Sequence, residues 1–111
     1  MNQLLDSLIW TRYQVKSKNK ELIIVTNSSE HTMNNLKKDY KLLNLFDKIY
    51  TKDNFTKKKP DPECYIKIQE IYKGKRMIGF EDSYQGFHAL SYAKSIKPFF
   101  ICTENYYYND T

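Results

Sequence analysis

Five polar residues of this 111-residue chain have side chains suited to binding phosphate or a hard cation. Thr26 and Asn27 follow one apolar run, Glu81 and Asp82 follow another, and Lys59 lies in a polar stretch between them. A hydroxyl and an amide can donate hydrogen bonds to phosphoryl oxygens, and an ammonium neutralises their charge. Adjacent carboxylates repel each other unless a cation or hydrogen bonds compensate, and carboxylates are ligands that Mg²⁺ prefers. Together the five predict a phosphate and magnesium site.

Each of these residues also has an ordinary structural explanation. Thr26 could cap the end of a strand, and Lys59 could be one more solvated lysine in a basic run. The acidic pair at Glu81 and Asp82 could favour the N-terminus of a helix instead of a metal. The functional interpretation therefore depends on the fold that positions them.

The chain alternates helical periodicity with short apolar runs, in the order α-β-α-β-α-β-α-β. The patterns predict helices over about 2–14, 33–43, 62–72 and 84–94, and strands over 21–26, 48–51, 76–80 and 98–102. Strands that alternate with helices favour a parallel sheet covered on both faces. Ligands of such sheets bind outside the carboxyl ends of the strands. We therefore expect the five polar residues to converge on one edge of the sheet.

Composition narrows the class of protein further. With 41% hydrophobic and 28% charged residues, the chain is predicted to be a single soluble globular domain. The net charge of +5 comes from lysines spread along the chain without a nucleic-acid motif, so no nucleic-acid partner is expected. No run of 18 apolar residues occurs, which predicts no membrane partner. Two distant cysteines, Cys64 and Cys102, are typical of reduced thiols and favour a cytoplasmic location.

Three segments resemble motifs of the haloacid dehalogenase (HAD) superfamily. Ile23–Ser28 resembles its second motif, a hydrophobic strand that ends in Thr or Ser. Lys59–Tyr65 is similar to the third motif, and Ile78–Gly86 to the fourth, an acidic pair followed by Ser and then Gly. Leu45–Tyr50 is similar to the segment that leads into the family's third core strand. The resemblance spans about Leu22 to Ile101, and the branch of β-phosphoglucomutase and phosphoglycolate phosphatase is the most similar.

The resemblance implies a role for each of the five polar residues. Thr26 and Asn27 would bind the transferring phosphoryl group of a small phosphorylated metabolite. Lys59 would also bind it, and would act as a catalytic residue that stabilises its charge and orients the nucleophile. Asp82 would be the principal magnesium ligand, supported by Glu81. The implied activity is magnesium-dependent phosphoryl transfer of the phosphatase or phosphomutase type.

The first motif of the family, Asp-x-Asp after a hydrophobic strand, has no counterpart in this chain. Asp6 is the single acidic residue before Glu21, but it lies in a helical pattern and is followed at the second position by Leu8. The cap domain is absent too, and residues 2–14 would correspond to the helix that returns from it. We therefore expect a partial Rossmannoid core of about four parallel strands, with an N-terminal helix (1–21), the core (22–102) and a frayed tail (103–111).

The missing first motif also removes a strand. In the family, that strand lies at the centre of the sheet, between the strands that here end at Thr26 and Phe80. Those two strands would pair directly, accept a strand from another chain, or leave the fold marginally stable. Three functions stay open: half of an enzyme complemented by a chain that carries Asp-x-Asp, a non-catalytic remnant, or an interaction module. Any of them predicts that the isolated chain is inactive.

Overall fold

The computed structural model describes residues 20–101. The chain divides into two compact units, residues 1–54 and residues 55–111, which are considered one at a time. The helix predicted over residues 2–14 and the predicted tail lie outside the described residues. Within residues 20–101, no helix is long and apolar enough to cross a bilayer.

The first unit contains a strand–helix–strand segment. Strand β1 (Ile23–Val25) pairs in parallel with strand β2 (Lys48–Tyr50). Helix α1 (Glu30–Asp39) and a 3-10 turn (Lys41–Leu45) connect the two strands. The β-branched residues of β1 suit a partly buried strand. This order agrees with the alternation predicted from the sequence.

Helix α1 begins three residues before the predicted range of 33–43 and ends four residues before the end of that range. Its N-cap is Ser29, whose hydroxyl oxygen accepts a hydrogen bond from the Thr32 backbone N–H at 3.0 Å. The helix was predicted to reach Leu43, yet it ends at Asp39 because Tyr40 leaves the helical region, with φ −122° and ψ 88°. Leu43 therefore lies in the 3-10 turn.

The second unit contains two helices and two strands. Helix α2 (Glu63–Ile71) precedes strand β3 (Met77–Glu81), and helix α3 (Tyr84–Ser91) precedes strand β4 (Ile96–Phe100). The two strands pair in parallel along their full length. Helix α3 contacts both strands and also α2. Parallel strand pairs with flanking helices confirm the predicted fold class, a partial Rossmannoid core.

The boundaries of β3 and α3 differ from the prediction for reasons visible in the hydrogen bonds. Glu81 was predicted to follow the strand, but its carbonyl oxygen accepts a bond from the Ile101 N–H at 2.8 Å, so it belongs to the ladder. Helix α3 ends at Ser91, because the Ala93 N–H bonds to the Leu90 carbonyl three residues back and tightens the final turn.

The core of the second unit lies between α3 and the β3–β4 pair. Ala89 and Leu90 of α3 are 0% exposed, and Ile96 of β4 is buried beside them. Gly79 of β3 faces Leu90 closely: a Cβ atom at position 79 would lie 2.9 Å from the Leu90 Cδ1 atom. Leu90 therefore fills the space that a side chain on β3 would otherwise occupy.

The opposite face of the β3–β4 pair carries exposed apolar side chains. Ile78 and Phe80 are 58% and 57% exposed, and the Phe80 ring stacks on Phe99 at a centroid distance of 5.4 Å. Across residues 20–101, the strands form two separate two-stranded sheets.

Candidate functional site

Lys59 and Glu81 form a buried ion pair in the second unit. The Lys59 Nζ atom lies 2.6 Å from the Glu81 Oε2 atom, and the two side chains are only 11% and 9% exposed. Burying two charges is costly unless further hydrogen bonds compensate for the lost water. The structure therefore brings together two of the five predicted residues, which are 22 positions apart in sequence.

Tyr65 supplies the further hydrogen bond. It lies on α2, is 7% exposed, and its hydroxyl donates to the same Glu81 Oε2 atom. Burial raises the pKa of Tyr65, and the hydrogen bond to Glu81 raises it further. The phenol thus stays protonated and remains a donor. The Lys59 Nζ atom also lies 5.2 Å from the centre of the Tyr65 ring, within cation–π range.

The structure explains why the segment similar to the fourth motif ends with Ser83 and Gly86. A Cβ atom at position 86 would overlap the Glu81 carboxyl group, so the close approach of that carboxylate requires glycine. The Ser83 hydroxyl oxygen accepts a hydrogen bond from the Gly86 N–H at 3.0 Å and is the N-cap of α3. In the Ser-x-x-Gly pattern, the serine therefore caps the helix, and the glycine leaves room for the Glu81 carboxylate.

Asp82 differs from Glu81 although the two are adjacent. It is exposed, and its side chain makes no hydrogen bond or ion pair with other residues in the 20–101 range. The same range contains no group of three His, Cys, Asp or Glu side chains placed to hold a metal. A magnesium ion could therefore bind the exposed carboxylate of Asp82. The carboxylate of Glu81 already accepts hydrogen bonds from Lys59 and Tyr65. The assignment of both acids to magnesium stays a prediction.

Glu63 anchors the loop that carries Lys59. Its Oε1 atom accepts from the Thr56 backbone N–H at 2.6 Å and from the Lys57 N–H at 3.4 Å, and the Thr56 hydroxyl donates to its other oxygen. The hydrogen bonds from Thr56 lower the pKa of Glu63. This carboxylate therefore fixes the polypeptide that leads to Lys59.

We expect Glu63→Gln to loosen this loop at neutral pH. Because the folded pKa of Glu63 is lowered, its contribution is present above the unfolded value of about 4.3 and is lost as pH falls through the folded value. Amide hydrogen exchange at Thr56 and Lys57 should therefore accelerate several-fold in the variant. The wild-type chain should lose the same protection, measured relative to the intrinsic exchange rate at each pH, only in acid. Equal protection in both proteins at pH 7 would contradict the anchoring role.

Thr26 and Asn27 belong to the first unit, in the loop between β1 and α1. The Thr26 N–H bonds to the Tyr50 carbonyl at 2.9 Å, and its hydroxyl oxygen accepts from the Ser28 N–H at 3.1 Å. The Ser28 carbonyl in turn accepts from the Lys52 N–H at 2.9 Å. The loop is thus fixed at a strand end, as predicted. Its convergence with the residues of the second unit stays a prediction.

Two contributors to the site were not identified from the sequence. Neither Tyr65 nor Glu63 is among the five polar residues predicted to form the site. Cys64, between them, is 3% exposed, and burial raises the pKa of its thiol. It is therefore an unreactive core residue and not a nucleophile.

Comparison with known proteins assigns the chain to a family. The family model described as haloacid dehalogenase-like hydrolase matches residues 3–95. No curated protein matches the chain. Among solved structures, it is similar to a HAD hydrolase of family IA, variant 3, from Entamoeba histolytica HM-1:IMSS, with 29% identity and a TM-score of 0.71. That alignment covers 86% of this chain and 44% of the other.

A second similar structure is a protein from Thermotoga maritima provisionally named as a β-phosphoglucomutase. The identity is 27% and the TM-score 0.69, with 80% of this chain and 43% of that chain covered. A HAD-superfamily hydrolase from Ehrlichia chaffeensis, 18% identical with a TM-score of 0.67, supports the fold alone. This chain spans about half or less of the length of these relatives. With the family model matched over most of its residues, the chain belongs to the haloacid dehalogenase-like hydrolase family.

Proposed function

We propose that this chain carries phosphate-binding and charge-neutralising residues of a phosphoryl-transfer site, of the phosphatase or phosphomutase type. The proposed substrate is a small phosphorylated metabolite. The observation that carries the proposal is the Lys59 ammonium held by Glu81 and Tyr65, in a loop anchored by Glu63. A cation fixed before the substrate arrives stabilises the charge of the transition state without reorganisation.

Thr26 and Asn27 are proposed to bind the phosphoryl oxygens from the first unit. Their loop is held by backbone hydrogen bonds to the last residue of β2 and to the segment after it. Hydroxyl and amide groups at a strand end are suitable donors to such oxygens. These two residues would bind phosphate through neutral donors.

Asp82 is the residue that we propose as the chain's own magnesium ligand. Mg²⁺ is usually held by one or two carboxylates together with water and substrate phosphate, so a single exposed acid is a suitable contribution. When bound, the ion would neutralise phosphoryl charge. Glu81 would add a second carboxylate only if it left Lys59 and Tyr65.

The nucleophile must come from outside these residues, because the 111 residues contain no Asp-x-Asp sequence. We propose that a complementing polypeptide supplies the strand that carries this motif. Its first aspartate would form the covalent bond to phosphorus while the bond from phosphorus to the leaving oxygen of the substrate breaks.

Reconstitution tests the proposal. The purified chain should not hydrolyse p-nitrophenyl phosphate with Mg²⁺, and addition of a polypeptide carrying the Asp-x-Asp strand should produce turnover. In the reconstituted protein, Lys59→Met should lower kcat by about 10²–10³-fold, the loss typical of removing one transition-state-stabilising group. Turnover by the chain alone that survives Asp6→Ala and disappears in Asp82→Ala would contradict the proposal, because it would require another nucleophile.

An interaction module is the second candidate, favoured by the exposed side chains of Ile78 and Phe80 on a two-stranded sheet. A strand from a partner could pair with the second edge of β3. Rapid hydrogen exchange of β3 amides, slowed by the partner, would support this function. A monomer at high concentration with a fully protected sheet would count against it.

A further inference from the structure

One oxygen atom of Glu81 receives two hydrogen bonds from different parts of the second unit. The Lys59 ammonium reaches Oε2 from the loop before α2, and the Tyr65 hydroxyl reaches it from the first half of α2 itself. The carboxylate comes from the last residue of β3 and rests against Gly86 of α3. A strand, two helices and a loop thus meet at a single side chain.

The identity of residue 65 is informative because its neighbours on the helix are apolar. Cys64 and Ile68 are each 3% exposed. A phenylalanine at position 65 would pack on this buried face of the helix equally well, without burying a hydroxyl. A buried hydroxyl costs free energy unless it is hydrogen-bonded. Here it bonds to the acceptor of Lys59, while the ring of Tyr65 lies 5.2 Å from the lysine ammonium. Both ends of the tyrosine therefore act on the ion pair.

We propose that Tyr65 is a positioning residue for Lys59 and acts through Glu81. The tyrosine hydroxyl fixes the carboxylate, and the fixed carboxylate holds the ammonium in one place. This inference rests on the proposed function, in which that ammonium faces a phosphoryl group. It also gives the two adjacent acids different roles. Glu81 holds the Lys59 ammonium in place, and Asp82 is exposed to solvent.

The test uses the full chain with ¹⁵N-labelled lysine. The Lys59 ammonium signal, assigned by its loss in Lys59→Arg, should be visible at low temperature because a buried, hydrogen-bonded ammonium exchanges slowly with water. In Tyr65→Phe, loss of a hydrogen bond to a charged group should accelerate this exchange by about tenfold. Tyr92→Phe, at a tyrosine that is 49% exposed and contacts the His88 ring, is the matched control and should leave the rate unchanged.

A purely structural tyrosine would lower stability without changing the exchange of Lys59 in the folded protein. Unchanged exchange in Tyr65→Phe would therefore overturn the inference, and so would a wild-type ammonium that exchanges as fast as a solvated lysine. If Tyr65→Phe does not fold, Glu81→Asp is the second variant. Its carboxylate is one methylene shorter and withdraws from Lys59, so the same acceleration is expected; unchanged exchange there would likewise overturn the inference.

Orthophosphate added to the same samples separates this inference from the proposed function. If phosphate shifts the wild-type Lys59 signal and Tyr65→Phe binds it more weakly, both are supported. If phosphate shifts the signal equally in both proteins and exchange is unchanged, the role of Tyr65 is wrong while the proposed function stands. If phosphate has no effect in either protein, the proposed function fails, and the exchange comparison alone decides on Tyr65.

Discussion

Lys59→Met is expected to destabilise the second unit by about 3–5 kcal/mol, the cost of leaving one member of a buried ion pair without its partner. The Glu81 side chain is 9% exposed and would keep the Tyr65 hydroxyl as its hydrogen-bond donor. One neutral donor compensates for a buried carboxylate less well than an ammonium does. This loss is a large part of the free energy of unfolding of a whole domain, which is typically about 5–15 kcal/mol.

A double-mutant cycle makes this prediction specific. Glu81→Gln removes the second charge but keeps a similar shape, so Lys59→Met combined with Glu81→Gln should recover much of the stability lost in the single variant. Urea unfolding followed through the amide signals of β3 and α3 provides the measurement. A loss in Lys59→Met below about 0.5 kcal/mol, the range of exposed substitutions, would show that the ion pair is solvated in solution.

Leu90→Ala is expected to cost about 3–5 kcal/mol, the range for truncation of a fully buried leucine. Leu90 is 0% exposed and packs against Gly79 of β3. The backbone of β3 is held by its pairing with β4 and cannot readily collapse into the space left behind. Ile71→Ala on α2 is the control, since its side chain is 57% exposed and surface changes usually stay within about 0.5 kcal/mol.

Gly79→Ala tests the same contact from the strand side. Alone, it should destabilise the unit, because its Cβ atom would lie 2.9 Å from Leu90 Cδ1 and 3.1 Å from Ile96 Cγ2. Combined with Leu90→Ala, the added methyl group would occupy part of the cavity. The double variant should therefore lose less stability than the sum of the two single losses. Strict additivity would show that the two residues do not pack together.

The order of strands and helices followed from the sequence because each element has a local signal. The β-branched Ile23–Val25 run predicted β1, and the helical periodicity that follows it predicted α1. Boundaries were less accurate because they depend on distant partners. The inclusion of Glu81 in β3, for example, is due to a hydrogen bond from Ile101, which no local pattern reveals.

The contacts among the predicted site residues could not be derived from the sequence. From the sequence, both acids were assigned to magnesium, with Asp82 as the principal ligand and Glu81 as its support, whereas the structure buries Glu81 against Lys59 and exposes Asp82. Alternation along a strand predicts that adjacent residues point in opposite directions, which could have suggested this difference. The hydroxyl of Tyr65 could not be connected to Glu81, because the contact joins residues 16 positions apart on different elements.

Binding of orthophosphate to the full chain tests the central proposal most directly. We predict that phosphate shifts the amide signals of Thr26 and Asn27 and the ammonium signal of Lys59 with one common dissociation constant. Lys59→Met should weaken the binding measured at Thr26. The proposal that these residues bind a phosphoryl group would be contradicted if phosphate shifted only the Thr26 and Asn27 signals or only the Lys59 signal. It would also be contradicted if phosphate shifted none of these signals in the presence of Mg²⁺.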